Sequence, residues 1–324
     1  MVPGMTSRPR DGSTKAAPVM RFDRHPRSFA GNFYVYAVLS RRARGISIGV
    51  NLNPDKVCNF GCIYCQVDRS LAPKTRRVDA IRLLAELEAI LDAAAEGGPE
   101  GLVSLDAVPV SHRRLADLAF SGDGEPTSHP EWATWVEKIA ALIEERSLVL
   151  PMTLITNASL FHRPRVKEGL DLLAERGGQV WAKLDAGSEE HYRQVAGSAL
   201  PFRRILDNIL EEACRRPLVI QSLFYRLRDE GPPRAEIEAW ADRLAAIVAE
   251  GGSLAGVQVT TVSRKPPRPD VGSIDRNDLE LIAETARARI PGVVVEVFPA
   301  LSGRTAASAS PEDAREHPRG ETRE

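Results

Sequence analysis

From about residue 46 the chain alternates between short apolar runs rich in β-branched residues and longer stretches whose apolar positions recur at helical spacing. ISIGVNL (46–52), LADLAF (115–120), MTLITN (152–157), QVWAKLDA (179–186), LVIQSLF (218–224), GVQVTTVS (256–263) and VVVEVF (293–298) read as seven strands. Helical periodicity predicts helices over 78–96, 131–146, 164–176, 202–215, 234–250 and 277–290. Pro232 and Pro233 mark the start of the fifth, and Asp275 the start of the sixth.

Strands this apolar are those of a parallel sheet covered on both faces. Strand–helix alternation makes either a doubly wound sheet or a (β/α) barrel. A complete eight-unit barrel takes about 250 residues, and the core here runs from 46 to 298. The expected fold is therefore α/β, a partial TIM-type barrel of six or seven units. Either architecture gathers its chemistry at the C-terminal ends of the strands.

Residues 1–27 read as a disordered or irregular lead-in, 28–301 as the barrel domain, and 302–324, rich in Ala, Ser, Pro, Glu and Arg, as a disordered tail. No apolar run approaches the roughly 20 residues of a membrane span, and the N-terminus has no signal-peptide core. Cytoplasmic residence without membrane contact is expected. A net charge of −1 gives no general attraction to nucleic acid. The arginine pairs Arg41/Arg42, Arg113/Arg114, Arg203/Arg204 and Arg215/Arg216 suit an anionic substrate or merely an arginine-rich surface.

CNFGCIYCQ (58–66) concentrates three of the four cysteines, Cys58, Cys62 and Cys65, directly after the first strand. Four cysteines in 324 residues are no disulfide framework. A structural zinc site wants a fourth ligand, but no histidine lies between His25 and His112. Cys214, near the end of a predicted helix, reads as a small core residue. A [4Fe–4S] cluster on three thiolates keeps one iron open for a small molecule.

Other strand ends are also polar. SGDGEPT follows the second strand, and its glycines allow a close backbone approach to a ligand or a tight loop. Asn157 ends the third strand, where an amide bridges ribose hydroxyls or makes an Asx turn. Lys183 and Asp185 share one side of the fourth strand, as a ligand-binding pair or a salt bridge. Gln221 and Ser222 on the fifth, with Thr260, Thr261, Ser263 and Arg264 on the sixth, reach toward a ligand or satisfy neighbouring backbone. Asn51 and Asn53 read as shaping the cysteine loop, and His129 as a loop residue.

The C-x3-C-x2-C spacing, with Tyr64 just before the last cysteine, resembles the signature of the radical S-adenosylmethionine (SAM) superfamily. The resemblance implies that Cys58, Cys62 and Cys65 hold the cluster, whose open iron chelates SAM. It implies that one electron then cleaves the sulfonium to a 5′-deoxyadenosyl radical that abstracts hydrogen from a substrate. Ser121, Gly122, Asp123, Gly124 and Glu125 match the segment facing the SAM amino group in that family. Asn157, Lys183 and Asp185 fall where relatives hold the ribose and carboxylate. Tyr64, Gln221 and Ser222 complete the expected cofactor contacts.

SIGVNLNPDKVCNFGCIYCQVDR, with SGDGEPTSHPEW, LITNAS and WAKLDAG, is similar to the branch that includes the 4-demethylwyosine synthases. Those tRNA enzymes carry further cysteines upstream for a second cluster. None precedes Cys58 here, which argues against the wyosine reaction. The expectation is a single-cluster oxidoreductase- or transferase-type enzyme, reduced by a donor such as flavodoxin or ferredoxin. Its substrate is a small molecule, a nucleotide or RNA, or a partner protein such as a glycyl-radical enzyme. A non-enzymatic iron–sulfur electron carrier or binding protein is the competing class.

Overall fold

The structure, a computed structural model, describes residues 29–73, 75–264 and 266–300 together with Phe22. Apart from Phe22 the expected lead-in lies outside the described residues, as does the whole expected tail. The main elements follow the chain as β1 (Val35–Ser40), β2 (Gly45–Val50), α1 (Ala80–Gly97), β3 (Leu115–Phe120), α2 (Trp132–Glu145), β4 (Met152–Thr156), α3 (Pro164–Glu175) and β5 (Gln179–Lys183). They continue with α4 (Glu189–Ala196), α5 (Phe202–Arg215), β6 (Leu218–Phe224), β7 (Arg226–Leu227), α6 (Arg234–Ala249), β8 (Leu254–Thr261), β9 (Val271–Gly272), α7 (Arg276–Arg289) and β10 (Val295–Phe298).

Eight strands form one sheet in the order β1-β2-β3-β4-β5-β6-β8-β10, parallel throughout except for the β1–β2 hairpin. β7 and β9 make a separate two-stranded antiparallel patch. The seven expected strands are thus present and parallel, joined by crossovers that carry the six expected helices. The result is an α/β partial barrel with its strands curled around a lumen.

Period-two alternation sorts the strand residues. Leu118, Leu154 and Ile220 are fully buried against the helical layer, each worth about 1.5–3 kcal/mol relative to exposure. Asp117, Thr153, Lys183, Gln221 and Thr260 take the other face and line the lumen. Among the described residues no helix is long and apolar enough to cross a membrane.

The sequence reading began one strand late. β1 is an apolar edge strand whose turn into β2 (Arg41–Arg44) lacks the usual glycine or asparagine signal. Arg44 itself takes the left-handed conformation, at φ 54°. Glu86 on α1 fastens this edge: its carboxylate accepts the backbone N–H groups of Phe33 (2.8 Å), Tyr34 (2.7 Å) and Val35 (3.2 Å). On the far side, Arg41 donates to the Pro299 carbonyl and to Ser263 Oγ, joining the hairpin to the segments after β10 and β8.

Candidate active site

The cysteine loop leaves β2 at the C-terminal end of the sheet and is held from three directions. Asn51 Nδ2 donates to Asp123 Oδ2 (2.8 Å), while Asn51 Oδ1 accepts from the backbone N–H groups of Asn53 (3.0 Å) and Asp123 (3.2 Å). Asn53 Nδ2 donates to Ser128 Oγ (3.1 Å). These bonds confirm Asn51 and Asn53 as loop-shaping residues and tie the loop to the segment after β3.

Gly122 and Gly124 are required by that contact. A Cβ on Gly122 would stand 2.3 Å from Asn51 Oδ1, and one on Gly124 would stand 2.2 Å from the Val57 carbonyl oxygen. The glycine-rich turn therefore packs one loop backbone against another.

From a second side, Asn59 Nδ2 donates to Ser159 Oγ (2.6 Å), and Asn157 Nδ2 donates to Asn59 Oδ1 (2.8 Å). The third support is α4, which the sequence reading missed. Gly61 N–H donates to the Ala196 carbonyl (2.7 Å) and Ile63 N–H to that of Val195 (2.9 Å). Signals for α4 were present: Ser188 caps its start, and Gly197 ends it in the left-handed region.

The thiols have distinct surroundings. Cys58 Sγ accepts from Phe60 N–H at 3.5 Å, and Cys65 Sγ accepts from the Arg69 guanidinium at 3.1 Å. Burial pushes the Cys62 thiol up to about 12, opposed by the Lys183 ammonium, and raises that of Cys58. Arg69 also donates to the Lys56 and Asp123 carbonyls (3.1 and 3.4 Å). Its place four residues after Cys65 was legible, but its role was not.

Tyr64 turns inward and donates its hydroxyl hydrogen to Asp185 Oδ2. Asp185 also accepts from Leu223 N–H (2.8 Å) and pairs with Lys183 at 3.4 Å. Lys183 Nζ lies 4.9 Å from the Tyr64 ring centroid. Lys183 and Asp185, expected as a ligand-binding pair or a salt bridge, form an ion pair with Tyr64 as its third member. Burial holds the Tyr64 phenol well above its ordinary range.

Glu125 is buried in the turn after β3, and four protein donors fill its carboxylate. These are Thr127 N–H (3.2 Å), Thr127 Oγ1 (2.5 Å), Thr156 Oγ1 (2.6 Å) and Asn157 N–H (2.8 Å). Asn157 Oδ1 accepts from Ser159 N–H (3.1 Å) and Oγ (2.6 Å), an Asx turn. Ser222 faces the helical layer, donating to the Leu184 carbonyl (2.5 Å) and accepting from Trp240 Nε1 (3.0 Å). Thr260 and Thr261 donate to the Ser222 and Phe224 carbonyls (3.0 and 2.8 Å). His129 accepts the Glu131 N–H (3.2 Å) within its own loop.

A cavity of about 340 Å³ opens between the cysteine loop and the strand ends. Cys65, Tyr64, Ser121, Gly122, Lys183 and Gln221 line it, with Arg41, Arg42 and Arg264 from the opposite wall. Gln221 Nε2 donates to Gln258 Oε1 (3.0 Å), a lumen partner the sequence reading did not single out.

Cys214 is exposed on α5, correcting its reading as a core residue. Its Sγ faces the Glu250 carbonyl beyond the N-terminal ends of the strands, away from the other three. Among the described residues no three His, Cys, Asp or Glu side chains converge on a single-ion site. The local donor set is three soft thiols with one guanidinium at a sulfur, which suits an iron–sulfur cluster with a vacant corner.

Residues 52–213 match the family model described as "Radical SAM superfamily". The chain belongs to the radical SAM superfamily. A protein named UPF0026 from Methanocaldococcus jannaschii is 30% identical over 174 residues, covering 54% of this chain and 46% of that protein. A "GTPase Obg" from Brachyspira hyodysenteriae is 24% identical over 176 residues, 54% of this chain and 22% of that protein. Each match spans less than half of the relative's own length. The crystal structure of a radical SAM methyltransferase from Sphaerobacter thermophilus shares the fold, with a TM-score of 0.54 at 16% identity over 81% of this chain and 68% of that one.

Proposed function

We propose that Cys58, Cys62 and Cys65 hold a [4Fe–4S] cluster and that this chain is a SAM-cleaving enzyme acting on a small substrate in the adjoining cavity. The observation that carries the reading is the cysteine loop, pinned by the segments after β3 and β4 and by α4 beside a polar cavity at the strand ends. When bound, the cluster and SAM supply one-electron cleavage of the sulfonium and a carbon radical that abstracts hydrogen.

The chain's own residues hold the components in place. Arg69 donates to the Cys65 sulfur and supplies positive charge at a site that gains an electron. Ser121, Gly122, Lys183 and Gln221 face the cavity and are the assigned SAM contacts. Tyr64 and Asp185 fix the Lys183 ammonium. Asp123, Gly124, Glu125, Asn157 and Ser222 act at one remove, bracing the loops and strand ends that carry those contacts.

Anaerobic reconstitution with iron and sulfide is expected to give about four irons per chain, with 5′-deoxyadenosine released from SAM after reduction. Zinc in place of iron, or no 5′-deoxyadenosine from a fully loaded sample, would remove the proposal. An electron carrier would take up the same iron but leave SAM intact.

A further inference from the structure

The four arginine pairs, equivalent in sequence, occupy different places in the fold. Arg203 pairs with Asp207 on the exposed face of α5, and Arg215 and Arg216 both pair with Asp171. Arg113 and Arg114 donate to the Val108 and Ala43 carbonyls (2.9 and 2.7 Å). Arg41 is spent on closing the barrel through Pro299 and Ser263.

Arg42 stands apart. It lines both the cavity beside the cysteine loop and a second one, of about 380 Å³, at the N-terminal ends of the strands. It therefore lies in the lumen between the two. Its guanidinium carbon sits 5.8 Å from the Trp181 ring centroid. Among the described residues it makes no hydrogen bond and no ion pair. Five N–H donors thus face the lumen with a single aromatic face for company.

The charges around it do not supply the missing partner. Arg41 and Arg264 act on it from the cationic side, and Asp117 and Tyr64 from the other. Asp117 carries a buried oxygen, Oδ1, with no partner of its own, and burial raises its pKa toward the neutral acid. Lys183 is already paired with Asp185. Burial, with Arg41 and Arg264 adding to it, lowers the Arg42 guanidinium to about 10. Arg42 is half-buried and its N–H groups remain open to the lumen, so a bound anion gains a guanidinium that no protein carboxylate already occupies.

We infer that the substrate is a small anion, a carboxylic acid or a phosphate ester, whose charged group is received by Arg42 inside the barrel. The planar fork of a guanidinium matches both groups bidentately. The compact lumen favours a small molecule over a polymer. This assignment rests on the proposed reading of the cavity as the place where SAM and substrate meet.

Two measurements on the full chain test it, and neither needs a loaded cluster. Arginine-selective modification with phenylglyoxal, mapped by mass spectrometry, is expected to label Arg42 and to slow about tenfold there when inorganic phosphate or succinate is added. Arg203 and Arg204 should label equally in both conditions. Whichever probe protects separates a phosphate from a carboxylate. Calorimetric titration with the same two probes is expected to weaken about tenfold in Arg42→Gln, recover in part in Arg42→Lys, and stay unchanged in Arg203→Gln.

Equal affinity in Arg42→Gln and the parent, or no saturable binding of either anion, overturns the inference. So does full protection of Arg42 by SAM alone in iron-loaded protein, which would make it a cofactor contact. If Arg42→Gln does not fold, protection in the unmodified chain decides. Failure to cleave SAM bears on the proposed function and leaves the anion result standing; loss of anion binding with SAM cleavage intact does the reverse.

Discussion

Tyr64 and Asp185 are joined by a hydrogen bond that runs from the cysteine loop to the end of β5. The same carboxylate accepts Leu223 N–H and pairs with Lys183, so one group links the loop to two strands. Tyr64→Phe keeps the ring beneath the Lys183 ammonium but deletes the donor. The expected loss is about 1.5–3 kcal/mol, as for a buried hydrogen bond to a charged group. Urea unfolding of the cluster-free protein reads it directly. A loss under about 0.5 kcal/mol would show that the ring, not the hydroxyl, holds the loop.

Gly124→Ala is expected to force the cysteine loop away from the turn after β3, since the new methyl would meet the Val57 carbonyl and the Asn53 side chain. Overpacking of this kind costs about 1–3 kcal/mol. Iron uptake on reconstitution should fall with it. Gly231→Ala, where an added Cβ meets nothing within 4 Å, should leave both quantities unchanged. Full iron uptake by Gly124→Ala would show that the loop tolerates the shift.

Cys214→Ser is expected to change neither stability nor iron content, because that thiol is exposed and remote from the cysteine loop. Cys62→Ser, by contrast, should abolish stable cluster binding, read as iron per chain and as loss of the visible absorption of the reconstituted protein. Equal iron in the two variants would refute the assignment of the ligands.

Asp117 gives the folded chain a pH dependence of known sign. Burial raises its pKa above the unfolded value, so the folded state binds this proton more tightly than the unfolded one. Its contribution to stability is therefore greatest below the ordinary carboxylate range, near pH 4. It declines as pH rises from there through the raised folded value. Asp117→Asn should flatten that segment of the stability–pH curve, measured by denaturant titration at several pH values. An unchanged slope would show that another group carries it.

The sheet was legible because each strand is a short β-branched, mostly apolar run followed by a helical pattern, even though its lumen face carries polar residues such as Asp117 and Gln221. The cysteine loop was legible because three soft ligands at fixed spacing have few other uses. β1 was missed because an arginine supplies the left-handed turn that glycine usually marks. α4 was missed because its eight residues bury only Tyr192, Val195 and Ala196, too few to show a helical period, between good caps. The roles of Glu125, Asn157 and Ser222 depended on which groups the fold brings near them. Ser222 shows the limit well. Its neighbour Gln221 faces the lumen, and one residue of strand register separates a cavity wall from a contact with Trp240.

The bond from Arg41 to the Pro299 carbonyl spans 258 residues. During synthesis from the N-terminus, each parallel strand can add to the sheet as it emerges. The hairpin's crossing to the far wall must wait until nearly the whole barrel has been made. Contacts so distant in sequence form late. The lumen is thus among the last parts of the molecule to be enclosed, and a chain halted before β10 would carry its cysteine loop beside an open trough.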